Sequence, residues 1–176
     1  MSKEEKSPIV RAEKAFEFRH AITFPWNPGT IIAGANLDQM VGLKDTRIRV
    51  VRLAPNNVAS LYHSHTCEEE WIYMLQGQAV LEIEETEHLL GPGDFAGFPA
   101  PTSAHQLRNP FQKGVICLMG GSRTTVDMAD FPRDGKRMFR QGDALEIYDS
   151  SDAEEVVPAN MDQDLIKNMR RSLHRE

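Results

Sequence analysis

Hydrophobic and polar positions change their rhythm several times along the chain. Residues 1–20 are rich in charge, with a weak apolar set in Ile9, Val10, Phe16 and Phe18. A short helix or an edge strand over 12–18 fits this segment. Phe24-Pro25-Trp26-Asn27-Pro28-Gly29 reads as a turn-rich joint carrying two large aromatics. Residues 36–42 suit one helical turn. From Thr46 the alternation of Arg47-Ile48-Arg49-Val50 marks a half-buried strand. Further short strands are expected over 61–65, 70–76, 78–84, 88–90, 95–99, 105–109 and 115–119. They recur at about 8–12 residues with turn signals between them, as in an antiparallel sandwich or barrel.

After Gly120-Gly121 the regularity fades. Residues 127–140 are polar, with isolated Met128, Phe131 and Phe139. Leu145, Ile147 and Tyr148 suit one more strand. Met161, Leu165, Ile166, Met169 and Leu173 then recur at spacings of three and four, the stripe of an amphipathic helix over 160–176. Its basic residues suit a helix C-terminus. Four segments follow: an extension at 1–45 packing on the barrel or on a dimer partner, a barrel core at 46–122, a second extension at 123–159, and the terminal helix.

Composition narrows the class. The 176 residues carry a net charge of -6, and 40% are apolar. That suits one globular domain and gives no basic footprint for nucleic acid. No apolar run reaches the ~20 residues of a membrane span. The first residues lack the apolar core of a secretory signal. Cys67 and Cys117 read as free thiols in a reducing compartment. A cytoplasmic protein is the expectation.

The chemistry concentrates in His63-Ser64-His65-Thr66-Cys67-Glu68-Glu69-Glu70. On an extended segment, His63 and His65 point to one face, roughly 7 Å apart. Parity then places Glu70 with Ile72 and Met74 on one face of the next strand, and Trp71, Tyr73 and Leu75 on the other. Glu70 is the natural third ligand, and Glu68 and Glu69 are expected in solvent. These residues alone fit a metal site or a polar turn entering a strand.

The pattern His63, His65, Glu70 and Gly77 resembles the first motif of the cupin superfamily with every spacing kept. Gly93, Pro99, His105 and Asn109 resemble its second motif. Two departures stand out: Pro101 replaces a glycine, and His105 comes one residue late. The resemblance covers about residues 46–120. It implies an all-β double-stranded β-helix, a cupin or jelly-roll barrel, with an N-terminal extension and a short C-terminal helix. It also implies a divalent transition metal (iron, zinc, manganese or nickel) held by His63, His65, Glu70 and His105. The ligand list does not choose among those metals.

The implied partners are a small-molecule substrate or ligand and a second copy of the chain in a homodimer, with no nucleic acid and no membrane. Two functions compete: a metal-dependent enzyme of dioxygenase or isomerase type, and a metal-assisted binding or sensing module. The intact ligand set argues against a purely structural barrel. Tyr73, Met74, Phe95, Phe98 and Met119 are candidate pocket walls or barrel filling. Arg49 and Gln78 are candidate polar handles. Gln106 is expected to point outward, Cys67 to be a bystander, and His20, His88 and His174 to lie on the surface. The segment with Phe16, Phe18, Phe24 and Trp26, or a second subunit, is expected to cover Trp71, Tyr73 and Leu75.

Overall fold

A computed structural model of the protein describes residues 7–17 and 20–153. The terminal helix expected over 160–176 lies outside the described residues, as do Phe18 and His174. A short α1 (Ala12–Ala15) precedes β1 (His20–Phe24) and β2 (Asn27–Asn36). Then come α2 (Leu37–Val41), β3 (Thr46–Leu53), β4 (Asn57–Val58), β5 (Ser64–His65) and β6 (Glu70–Gln76). The chain continues through β7 (Ala79–Ile83), β8 (Thr86–Leu90), β9 (Phe95–Phe98), β10 (His105–Asn109) and β11 (Val115–Ser122). It ends in β12 (Val126–Phe131), β13 (Lys136–Gln141) and β14 (Ala144–Asp149).

The strands form three antiparallel sheets in the orders β1-β2-β3-β11-β6-β9, β4-β10-β7-β8 and β14-β13-β12-β5. The first two pack on each other as a jelly-roll barrel. Their shared core holds Val51, Leu53, Ile72, Met74, Val115 and Cys117 from one sheet, and Ala79, Leu81 and Leu107 from the other. Each large aliphatic side chain among them contributes roughly 1.5–3 kcal/mol by leaving water. The fold is all-β, as the strand spacing and the family resemblance both indicated.

The register sorts the barrel interior by polarity. On the inward face of the six-stranded sheet, Leu53 pairs with Val115 and Val51 with Cys117, which pairs with Met74. One step toward the mouth, Asn36, Arg49, Met119 and Ile72 lie side by side across β2, β3, β11 and β6. One step further, Arg47, Gly121, Glu70 and Phe98 do the same across β3, β11, β6 and β9. The interior therefore runs from aliphatic to charged along the strands, and chemistry is confined to one end.

Where β6 ends, Gly77 has φ +80, and a Cβ there would sit 2.6 Å from the Gly114 carbonyl oxygen. Only glycine fits that turn.

Two stretches differ from the sequence expectation. The turn-rich joint is the two-residue turn of the β1–β2 hairpin, Phe24 pairing with Asn27 across Pro25-Trp26. Beyond it β2 extends the barrel sheet by pairing with β3. Its small residues show no alternation because they lie hard against the neighbouring strand: a Cβ on Gly34 would be 2.9 Å from the Val50 carbonyl oxygen. The polar stretch 127–140 forms β12 and β13, whose charges are spent on pairing, Arg137 with Asp130 among them.

Of the two covers expected for Trp71, Tyr73 and Leu75, Phe24 and Trp26 do not supply the first. Phe24 and Trp26 pack on Phe131, with ring centroids 5.6 and 5.2 Å away. They wall the barrel mouth, leaving Tyr73 and Leu75 exposed.

Candidate metal centre

His63, His65, Glu70 and His105 arrive at the mouth from separate elements. Glu70 opens the inward face of β6 and is paired with Phe98 on one side and Gly121 on the other. His63 and His105 form an isolated antiparallel bridge, each backbone N–H donating to the other's carbonyl at 3.1 and 2.9 Å. His65 on β5 pairs with Ala129 on β12. The loop that departs from the family's second motif fixes it further. The His65 N–H donates to Thr102 Oγ1 at 2.6 Å, and the Thr102 N–H donates to the His65 carbonyl at 2.8 Å. Despite the extra residue, His105 points inward, 2% exposed, with Phe98 stacked on its ring at 3.7 Å.

All three imidazoles turn Nε2 toward the Glu70 carboxylate. His63 and His105 lie 3.3 and 3.1 Å from Oε2, and His65 lies 3.5 Å from Oε1. Each Nδ1 is engaged on the far side: His63 with the Leu61 carbonyl at 2.8 Å, His105 with the Ser103 carbonyl at 2.8 Å, and His65 with Asp127 Oδ2 at 2.5 Å. Those partners only accept, so every Nδ1 must carry the proton. Each neutral ring is then left with a lone pair on Nε2 aimed at a carboxylate. Electron-rich groups turned toward one carboxylate in this way suit a cation between them.

Without one, His63 and Glu70 favour their charged forms. Burial opposes charge on His63, but the Glu70 hydrogen bond outweighs it and raises the ring above its ordinary value. Glu70 is held well below the usual carboxylate range, because hydrogen bonds from His105 and His63 overcome its burial. The donor set fits a divalent ion: ligand atoms of His63, Glu70 and His105 lie within 4.8 Å of one another, and the oriented Nδ1 partners are what metal-binding histidines ordinarily have.

The support around the site was not foreseen from sequence. Asp127, 2% exposed, accepts from His65, from the Cys67 N–H at 3.0 Å and from the Glu68 N–H at 3.2 Å. Burial raises its carboxyl, and these hydrogen bonds pull it below its ordinary value. Glu68, expected in solvent, is fully buried. Its carboxylate pairs with Arg47 and Arg140 and accepts the Thr124 N–H at 3.0 Å. His65, Glu68 and Asp127 also cluster within 4.8 Å, but both acids are already committed to these partners.

Around the centre opens a cavity of about 240 Å³, lined among others by Ile32, Arg49, Met119 and Phe131. Of the candidate walls, Met119 borders it and Phe98 backs His105, while Met74 is core and Tyr73 and Phe95 face solvent. Arg49 reaches it and Gln78 does not, being exposed. Gln106 is half-buried, its amide donating to the Ser60 carbonyl at 2.9 Å. Cys67 and His88 are exposed, as expected.

The family model of the Cupin domain matches residues 49–121, from within β3 to within β11, a stretch that holds every predicted ligand. The chain carries a Cupin domain. Among solved structures, a provisionally named sugar phosphate isomerase of Acidithiobacillus ferrooxidans is 28% identical, with a TM-score of 0.78 over 85% of this chain and 97% of that chain. A cupin-superfamily sugar phosphate isomerase of Silicibacter pomeroyi is 24% identical, with a TM-score of 0.72 over 79% of this chain and 91% of that one. The second likeness supports the fold alone. No curated protein matches the sequence. No helix among the described residues is long and apolar enough to cross a membrane.

Proposed function

We propose that this cupin is a metal-dependent isomerase of a small hydroxy-carbonyl molecule of the sugar-phosphate class, with a divalent ion held by His63, His65, Glu70 and His105. The observation that carries this reading is the convergence of three imidazole Nε2 atoms on Glu70, their Nδ1 protons all engaged elsewhere. The 28% identical neighbour named for sugar phosphate isomerisation supports the substrate class. When bound, the ion would act as a Lewis acid on a carbonyl or hydroxyl oxygen, making the adjacent C–H proton easier to remove.

The chain's own residues shield and orient the centre. Phe131 stacks against His63, with ring centroids 5.8 Å apart, and together with Phe24 and Trp26 shields that side of the centre from bulk water. Asp127 and the Leu61 and Ser103 carbonyls hold the imidazoles in their ligating tautomer. Gly121, between Glu70 and Arg47 in the sheet, lets the Glu69–Glu70 backbone come closer than any side chain would allow, since a Cβ there would lie 2.1 Å from the Glu69 carbonyl oxygen.

The test is solvent-deuterium exchange followed by NMR on a panel of aldose and ketose phosphates with metal-loaded protein. Exchange of the proton next to the carbonyl and appearance of the isomer are expected, both lost after chelation and in Glu70→Gln. Metal-loaded protein that exchanges and converts nothing on the panel contradicts the reading.

A further inference from the structure

Among the described residues, four arginines stand at the open end of the barrel, and three of them are taken. Arg47 and Arg140 pair with Glu68, and Arg123 lies 3.5 Å from Asp143. Arg49 is different. Its Nε donates to Asn36 Oδ1 at 2.8 Å, and among the described residues no carboxylate lies within ion-pair distance of its guanidinium. Its stem is laid along Gly34, where an added Cβ would come within 3.0 Å of Arg49 Cδ. Asn36 on one side and Met119 on the other flank it in the sheet. The group is therefore held in place and half-buried, lines the cavity, and leaves its terminal NH2 groups without a partner among the described residues. A guanidinium partly removed from water with unfilled donors is costly unless a ligand supplies acceptors, and its planar fork matches a bidentate oxyanion.

We propose that Arg49, steadied by Asn36, is the oxyanion subsite of this cavity. The substrate is thus a small hydroxylated molecule with a phosphoryl or carboxylate group at the end remote from the metal. This deepens the isomerase reading and rests on it for the substrate's orientation.

Geometry agrees. Arg49 stands two strands from Ile72, the inward neighbour of Glu70, a separation of about 10 Å at ordinary strand spacing and so a sugar-sized reach. Asp38, buried at the same end and also lining the cavity, acts on Arg49 only at longer range. It tempers the positive charge and offers acceptors for hydroxyl groups. An uncharged ligand would leave Arg49 unanswered.

The experiment titrates sulfate and acetate into metal-loaded wild type, Arg49→Met and Arg49→Lys, by calorimetry and by thermal midpoint. Sulfate mimics a phosphoryl group without precipitating the metal. Wild type is expected to bind at least one of the two anions. Affinity should fall at least tenfold in Arg49→Met and less in Arg49→Lys, with metal content unchanged in both. The tighter anion names the group on the substrate. The proposal is overturned if wild type keeps its metal but binds neither anion, or if Arg49→Met binds as wild type does. If no metal binds but anion binding still depends on Arg49, the isomerase reading falls and the subsite stands.

Discussion

A histidine that ligates through Nε2 needs an acceptor for its Nδ1 proton, and the three candidate ligands find theirs in two ways. His63 and His105 each use the carbonyl two residues earlier, a purely local arrangement. His65 relies on Asp127, 62 positions away on β12. Replacing Asp127 with Ala is expected to weaken metal affinity by roughly 10- to 100-fold, and with Asn by less, while circular dichroism keeps the strand signal. A competitive chelator titration measures this, and unchanged affinity in both variants removes Asp127 from the site. Cysteine reactivity separates as well. Burial pushes the Cys117 thiol up to about 12, whereas Cys67 is exposed. Raised that far, Cys117 stays a neutral thiol near neutral pH, and the thiolate is the nucleophile. One thiol per native chain should label quickly, and Cys67→Ser should abolish that fast phase. His63, His65 and Glu70 were legible because strand parity puts them on one face. Glu68 was misread because three acids in a row look solvated. Its burial depends on Arg47 and on Arg140, 72 positions downstream, and only the assembled sheets bring these together.

At the level of strands, the pattern of short apolar runs between turn signals revealed β3, β6, β7, β10 and β11. It concealed β2, where close approach to β3 demands small residues, and β12, whose buried positions are Asp127, Ala129 and Phe131. An acid, a methyl and an aromatic do not look like one apolar stripe, yet they share a face because Asp127 is paid for by its hydrogen bonds. The glycines test the register. At Gly121 a Cβ would lie 2.1 Å from the Glu69 carbonyl oxygen, against backbone that cannot yield cheaply. Gly121→Ala should displace the start of β6 and with it Glu70. The expected result is metal affinity lowered by at least an order of magnitude, read by the same chelator titration. Gly77→Ala lies at the apolar end, far from the ligands. It should cost about 1–3 kcal/mol in denaturant unfolding through its positive φ and the Gly114 clash, with metal affinity intact.

For the whole molecule, charge is gathered at one end of the barrel and an apolar surface is left on its flank. Tyr73 and Leu75 on β6 and Phe95 on the edge strand β9 are exposed, Phe95 at 64%, and Tyr73 stands directly opposite Phe95 in the sheet. We propose that a second copy covers this face. Light scattering should give twice the 19.9 kDa chain mass, and Phe95→Asp with Tyr73→Asp should give the single chain. A monomeric wild type contradicts it. The central claim concerns the other end, where three lone pairs and a carboxylate meet. Metal content by mass spectrometry, after expression in medium supplemented with iron, zinc, manganese and nickel, tests it most directly. About one divalent ion per chain is predicted for wild type, with almost none in folded Glu70→Gln and His105→Ala. A wild type that holds no metal, or variants that hold as much as wild type, would contradict the account.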